Sequence, residues 1–440
     1  MKKKLKIGKG QKLWKESKTV IAGGNMLFSK RPDTFLPNLW PSYFKKTKGC
    51  VVTDLDNNEY YDLSTMSVGT NSLGYSHPKV DNAVKKVIED GNISTLNCPE
   101  EVYLAKKLIK LHPWARKARF ARTGGEANSI AIRLARASTK KKTVAFCGYH
   151  GWHDWYLAAN IKSKKNLSNH LLKGLNIEGV PKELKNTIYS FKYNDYNYLR
   201  KLVKEKDIGI IKMEVLRNEM PKNNFLKKVR QLANKNGIIL IFDECTTGFR
   251  ETFGGIHKKF KVDPDLLILG KALGNGYAIT AILGTEKIMK SIKTTFISST
   301  FWTERIGSVA ALKTLEIMKK EKSWKKITLI GKKIISQWKM LSIKHNLNIR
   351  ISGIPSLCSF SFVSNKNIAY KTYITQEMLK NNILASNVVY SSIAHNNKIL
   401  KKYFKVLDEI FRNISLFEKG RDIYKYLDTK ISTQNFERLN

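Results

Sequence analysis

Lys271 closes an apolar run in Pro264-Asp-Leu-Leu-Ile-Leu-Gly-Lys-Ala-Leu-Gly-Asn-Gly276, with Gly270, Gly274 and Gly276 around it. The run from Leu266 to Leu269 reads as a buried strand. An amine taken out of water loses basicity, and a neutral lysine attacks carbonyl carbon to form a Schiff base. The alternative is a lysine on a strand-end turn in water. A second stretch, Gly237-Ile-Ile-Leu-Ile-Phe-Asp-Glu-Cys-Thr-Thr-Gly-Phe-Arg250, is another apolar run and ends in Asp243 and Glu244. An acid at the C-terminal end of a buried parallel strand sits where α/β sheets bind ligands. The separation of 28 positions from Asp243 to Lys271 leaves room for one loop or helix and the next strand.

Pyridoxal phosphate (PLP) chemistry needs such a pair: a lysine to hold the aldehyde, and a carboxylate to keep the pyridine nitrogen protonated. The two stretches resemble those of class III aminotransferases, the PLP fold-type I group, and most closely glutamate-1-semialdehyde aminomutase-like proteins. The resemblance runs from about Ile21 to about Phe411, with four signatures in the family's order.

The first signature is Phe120-Ala-Arg-Thr-Gly-Gly-Glu-Ala-Asn-Ser129, a short strand that meets a helix at Thr123-Gly124-Gly125. Backbone N–H groups at a glycine-opened helix N-terminus form an anion site. An ordinary cap by Thr123 is the other reading. The resemblance places the cofactor phosphate at Gly124 and Gly125, the latter standing where relatives often have Thr or Ser. The second signature is Gly148-Tyr-His-Gly-Trp-His-Asp154, in which the family's ring-stacking aromatic maps to Tyr149; His150 and His153 read otherwise as structural loop histidines. The third is the Asp243–Lys271 pair itself. In the fourth, Ile297-Ser-Ser-Thr-Phe-Trp-Thr-Glu-Arg305, the family threonine that reaches the partner subunit's phosphate maps to Thr300; a helix cap is the alternative. The resemblance thus implies a homodimer with shared sites. Cys245 is read as a packing residue against the ring, without a catalytic role.

Substrate contacts are read more weakly. Ile208-Gly-Ile-Ile-Lys-Met-Glu214 is a strand ending in an acid, followed by Arg217. Glu214 and Arg217 are candidates for substrate binding, although Arg217 could simply pair with Glu214 or Glu219. Lys30 lies where the mutase has an arginine that resembles a carboxylate anchor, with the candidate Arg31 adjacent, and Val68 stands where the mutase has tryptophan.

Composition bounds the rest. A mean hydropathy of −0.34, with no run of about 18 apolar residues, predicts no membrane span. The basic N-terminus lacks the apolar core of a signal peptide. Five scattered cysteines without a CxxC predict a reducing cytoplasm and no zinc site. The net charge of +43 invites a nucleic-acid reading. The lysines, however, are spread along the chain, and no nucleic-acid-binding motif accompanies them.

The expected fold is α/β: a large PLP-binding domain over residues 61–324, with a mostly parallel sheet of the seven-stranded type. Residues 1–60 and 325–440 would form a small α+β domain. Helices are expected over Pro78 to Asp90, Glu100 to Leu111, Asn223 to Lys235, Ile306 to Lys320, Trp324 to His345, Thr375 to Asn381 and Asn397 to Ile414. The expected activity is amino-group transfer through a Lys271 Schiff base, with Asp243 holding the pyridinium. Metal is expected to play no part. A two-substrate aminotransferase acting on a modified sugar or another carbonyl compound, in surface-polysaccharide or secondary metabolism, is the alternative to a mutase. A PLP-fold binding protein without catalysis is a third possibility, opposed by the intact Lys271.

Overall fold

The computed structural model describes residues 5–161 and 177–433. These form two compact units, one over residues 78–324 and one joining the segment up to His77 with the chain from Lys325 onward.

In the first unit seven strands make one sheet: β1 (Lys117–Ala121), β2 (Thr143–Cys147), β3 (Ile188–Ser190), β4 (Ile208–Glu214), β5 (Ile239–Glu244), β6 (Leu266–Leu269) and β7 (Thr280–Gly284). Their order is β1-β7-β6-β5-β4-β2-β3. Strands β2 to β6 pair in parallel, and β7 runs antiparallel to both β1 and β6. Every residue of β2, β4, β5, β6 and β7 is buried. Continuous Ile/Leu/Val runs follow from that, because strands covered on both faces have no solvent side to make polar. Strand β7 has no counterpart among the expected elements; its short run, Thr-Ala-Ile-Leu-Gly, follows a glycine-rich loop and gives no alternation to read.

Helix starts follow local chemistry. Gly124–Thr139 is capped by Thr123, whose hydroxyl accepts from Glu126 N–H while the Glu126 carboxylate reaches back to Thr123 N–H. The helix Arg305–Glu321 is capped by the Glu304 side chain, which accepts from Ile306 and Gly307 N–H. A carboxylate at that place also meets the positive end of the helix dipole.

The second unit holds a four-stranded and a three-stranded sheet. The boundary expected at residue 61 falls instead between His77 and Pro78. The strand Glu59–Leu63 explains the difference: it pairs antiparallel with Val51–Asp54 and parallel with Ile383–Ala385. The core of this unit includes Trp338, Phe360, Tyr403 and Phe411, and the Trp338 indole N–H donates to the Tyr403 hydroxyl at 3.0 Å. The helix expected from Thr375 begins earlier, at Asn367. Its first half, Ile-Ala-Tyr-Lys-Thr-Tyr-Ile, carries the β-branched and aromatic residues that favour strands, and burial overrides that preference.

The segment after β6 is tightly constrained. Lys271 has φ +43, Asn275 φ +45 and Gly276 φ +106. At Gly274 an added Cβ would lie 2.2 Å from the Tyr277 carbonyl oxygen and 2.9 Å from Ile279 Cγ2. Because the first of these is backbone, the loop cannot yield by a rotamer change. Gly274→Ala is therefore expected to destabilise the protein by about 1–3 kcal/mol; chemical denaturation of the two proteins measures it, and equal midpoints would contradict the crowding.

Candidate functional site

The C-terminal ends of β2, β4, β5 and β6 lie side by side, and the residues singled out from sequence cluster there. Asp243, the penultimate residue of β5, is 4% exposed. Its Oδ2 lies 2.9 Å from His150 Nδ1, in the loop after β2, and its Oδ1 accepts from Cys245 N–H at 3.1 Å. Burial by itself would raise the carboxyl pKa. The hydrogen bond from His150 and the charge of Lys212 outweigh that and hold Asp243 well below the usual carboxylate range. His150 is itself held below its ordinary pKa by burial and by Lys212, against the pull of Asp243. Both of its ring nitrogens face acceptors, Nδ1 the Asp243 carboxylate and Nε2 the Cys147 carbonyl at 3.2 Å. A neutral ring has a single N–H, and the charged acceptor takes it.

Pleating separates Asp243 from its neighbour. Glu244 points the other way and accepts from the backbone of Ile256 and from His257, whose N–H lies at 3.0 Å and whose Nδ1 at 2.7 Å. It fixes the loop that follows the strand. Glu214, beside Asp243 in the register of β4 and β5, accepts the N–H of Tyr149 at 3.1 Å and so anchors the aromatic loop.

Lys271 Nζ donates to Thr246 Oγ1 at 2.8 Å. Cys245 bridges the remaining pieces. Its Sγ is 3.4 Å from where a Cβ on Gly124 would stand and 3.0 Å from one on Gly270, which brings the helix N-terminus and the residue before Lys271 against the same thiol. Burial, with Asp243 nearby, pushes that thiol well above its ordinary pKa, so it is neutral. All five cysteines are free and buried. The N–H groups of Gly124 and Gly125 lie in the first helical turn, beyond intrahelical pairing.

The remaining sequence candidates are Arg217, Arg31 and Thr300. Arg217 is buried just past the end of β4. Arg31 belongs to the other unit, in a short turn where it pairs with Asp33 at 3.0 Å. Thr300 is exposed and opens a single 3₁₀ turn; the cap of the next helix is Glu304, so the capping alternative for Thr300 does not hold. The neighbouring segment is held internally: Trp302 Nε1 donates to Glu126 at 3.1 Å, Arg122 pairs with Glu304 at 3.1 Å, and Arg305 pairs with Glu100 at 2.8 Å.

Lys212 is a residue of this cluster that a reading of the sequence alone does not single out. Lys212, on β4, is fully buried. Among the described residues its ammonium has no hydrogen-bond acceptor, and it lies 5.9 Å over the Trp155 ring. Burial lowers its pKa from 10.5 to about 8, with Asp243 opposing the shift. The available signal was one cation, two residues before Glu214 and so on the same strand face, inside an otherwise apolar run.

This set of groups fits pyridoxal phosphate: an ionised carboxylate in a dry site for the ring nitrogen, an amine for the aldehyde, and a glycine-lined helix N-terminus for the phosphate. Comparison with known proteins bears on the same point. Residues 37–393 match the family described as aminotransferase class-III. The chain belongs to that family of PLP-dependent enzymes. It is 34% identical over 396 residues to a 3-aminobutyryl-CoA aminotransferase of Cloacimonas acidaminovorans, covering 87% of this chain and 91% of that protein. It is 31% identical over 438 residues to a glutamate-1-semialdehyde 2,1-aminomutase of Methanocaldococcus jannaschii, covering 93% and 99%. Its fold matches the Sphingopyxis FumI protein in its PLP internal aldimine form, with a TM-score of 0.84 at 23% identity over 96% of this chain and all of that one. An omega-transaminase of Sphaerobacter thermophilus gives 0.81 at 20% identity, over 92% and 97%. The expected fold type and enzyme class are thereby established.

Lys212 has a measurable signature. Its folded pKa, about 8, lies below its unfolded value near 10.5. Between those values the unfolded chain binds the extra proton, so stability contributed through this group rises with pH and is lowest below pH 8. Relative to wild type, Lys212→Met should lose stability progressively as pH climbs from 8 to 10.5, because it lacks that gain. Unfolding free energies measured at intervals across this range give the comparison, and a constant difference would show that Lys212 does not titrate there.

Proposed function

We propose that Lys271 is the residue that holds the cofactor aldehyde, with Asp243 at the ring nitrogen, Tyr149 against the ring and Gly124 and Gly125 at the phosphate. The observation that carries this reading is the convergence of Lys271, Asp243, Tyr149 and the Gly124–Gly125 helix start at one end of the parallel strands. Pyridoxal phosphate, when bound, supplies a conjugated ring that accepts electrons from the substrate's Cα. The protein's share is positioning and proton control. Asp243, kept ionised in a buried place by His150 and Lys212, would accept a hydrogen bond from a protonated ring nitrogen and keep that proton in place. Glu214 holds the backbone of Tyr149. Thr246 fixes the Lys271 amine. With its amine free, Lys271 would be placed to act as general acid–base toward the substrate carbon.

The reaction we propose is transfer of an amino group from a donor to a carbonyl acceptor. Lys30 and Val68, in place of the mutase's arginine and tryptophan, favour two separate substrates over an intramolecular shift. Arg217, Glu214 and Arg31 are the candidates for contact with substrate polar groups. The five free, buried cysteines accord with a reducing, cytoplasmic setting, and no described helix is long and apolar enough to cross a membrane. We assign the chain no specific nucleic-acid partner, since no binding motif accompanies its charge.

Borohydride reduction of the PLP-reconstituted protein, followed by peptide mass mapping, tests the assignment. The cofactor adduct is expected on the peptide containing Lys271. An adduct on another lysine, or none, would overturn the reading.

We further propose a homodimer in which Thr300 serves the partner's phosphate site. Thr300 is exposed, and beside it Phe296 and Phe301 are 89% and 71% exposed. Large exposed apolar side chains of this kind mark association surfaces. Mixed Lys271→Ala and Thr300→Ala subunits would form heterodimers carrying one doubly damaged site and one intact site. Activity above both parents is expected, given that one lost hydrogen bond to a charged group costs about 1.5–3 kcal/mol. A monomer by light scattering at micromolar concentration, or no gain after verified subunit exchange, would exclude shared sites.

A further inference from the structure

We propose that His153 contributes a side-chain donor to the cofactor phosphate, in the place that a side chain at position 125 would otherwise occupy. This inference rests on the reading of Gly124 and Gly125 as the phosphate site.

The argument starts from the space beside Gly125. A Cβ built there would lie 2.9 Å from His153 Nε2 and 3.1 Å from its Cδ2. The imidazole thus fills the volume into which any larger residue at 125 would project. That volume adjoins the first turn of the helix Gly124–Thr139, whose orphan N–H groups and partial positive charge favour an anion. Gly151 completes the contact: with φ +101, its own notional Cβ would lie 3.2 Å from Gly125 Cα. The loop carrying His153 therefore packs directly on the backbone of the helix start, and glycine at both positions permits that approach.

The other ring nitrogen is held. His153 Nδ1 lies 2.6 Å from Ser129 Oγ, one turn further along the same helix. With Ser129 donating to Nδ1, the neutral ring carries its proton on Nε2, the nitrogen beside Gly125. Burial, the largest influence, lowers the His153 pKa, with Glu126 and Asp154 opposing it. A neutral ring in this tautomer remains a hydrogen-bond donor toward the helix mouth. The serine sets ring orientation and tautomer, while Nε2 meets the anion. Gly125 and His153 thus form one unit, in which the small residue makes room for the imidazole.

Two readouts separate phosphate binding from mere packing. The first compares PLP with pyridoxal, which lacks the phosphate, in binding to apoprotein. His153→Ala should weaken PLP binding about 10-fold or more, as expected for a hydrogen bond to a charged group, and leave pyridoxal binding unchanged. The 31P resonance of the bound cofactor should shift in the same variant. His153→Gln, which retains an N–H near the Nε2 position, should recover part of the loss.

The second readout is reciprocal. Gly125→Thr in the wild-type background should weaken PLP binding, because its Cβ meets His153. In the His153→Ala background the same change should restore affinity, since the space is then empty and the threonine hydroxyl can face the phosphate. PLP affinity in His153→Ala equal to that of wild type would overturn the proposal. So would an equal loss of PLP and pyridoxal, which would mark His153 as a packing residue. If wild-type protein takes up PLP on Lys271 and these effects are absent, only the role of His153 fails. If wild-type protein takes up no PLP, the phosphate-site reading fails with it.

Discussion

A carboxylate buried at the end of a parallel strand is costly unless other groups share its charge. Asp243 is in that position, and much of the site consists of what keeps it ionised. His150 gives it a hydrogen bond from the loop after β2, and Lys212 gives it a cation from β4. Both come from outside its own strand. The interaction therefore exists only when β2, β4 and β5 are in register, and the sheet order supplies that register. The site is a product of the strand pairing, more than of any single loop.

The same logic explains two successive acids with separate tasks. Because alternate strand residues face opposite sides, Asp243 turns toward His150 and Glu244 toward the chain that follows. Glu244 binds the backbone and ring of the 256–257 turn. Removing its carboxylate would leave buried donors unpaired and loosen the loop, without touching the strand face that carries Asp243. Glu214 has a comparable supporting part toward Tyr149.

Much of this arrangement is legible in the sequence. Asp243 and Lys271 each end an apolar run, and Gly124-Gly125 opens a helix, so strand-end and helix-start chemistry are visible locally. The partners of Asp243 are not. His150 is 93 residues away, and no local pattern selects it over His153. Lys212 sits within a run whose other members are apolar, where a lone charge reads as an interruption. The domain boundary is hidden for a related reason: the strand Glu59–Leu63 finds its parallel partner at Ile383–Ala385, near the other end of the chain. The helix Asn367–Lys380 shows the opposite conflict, with strand-favouring residues held helical by burial. Pairings distant in sequence, and burial itself, are the parts that composition does not supply.

Lys271 stands in the left-handed backbone region, with φ +43. For a residue with a Cβ this costs about 1–2 kcal/mol, and glycine would escape it. With the role proposed for Lys271, the backbone and the chemistry favour different residues at this position. Glycine at 271 would ease the backbone but give up the amine that donates to Thr246, so on the role proposed for Lys271 a directed-evolution campaign on this chain would have to screen for turnover and heat resistance in the same round.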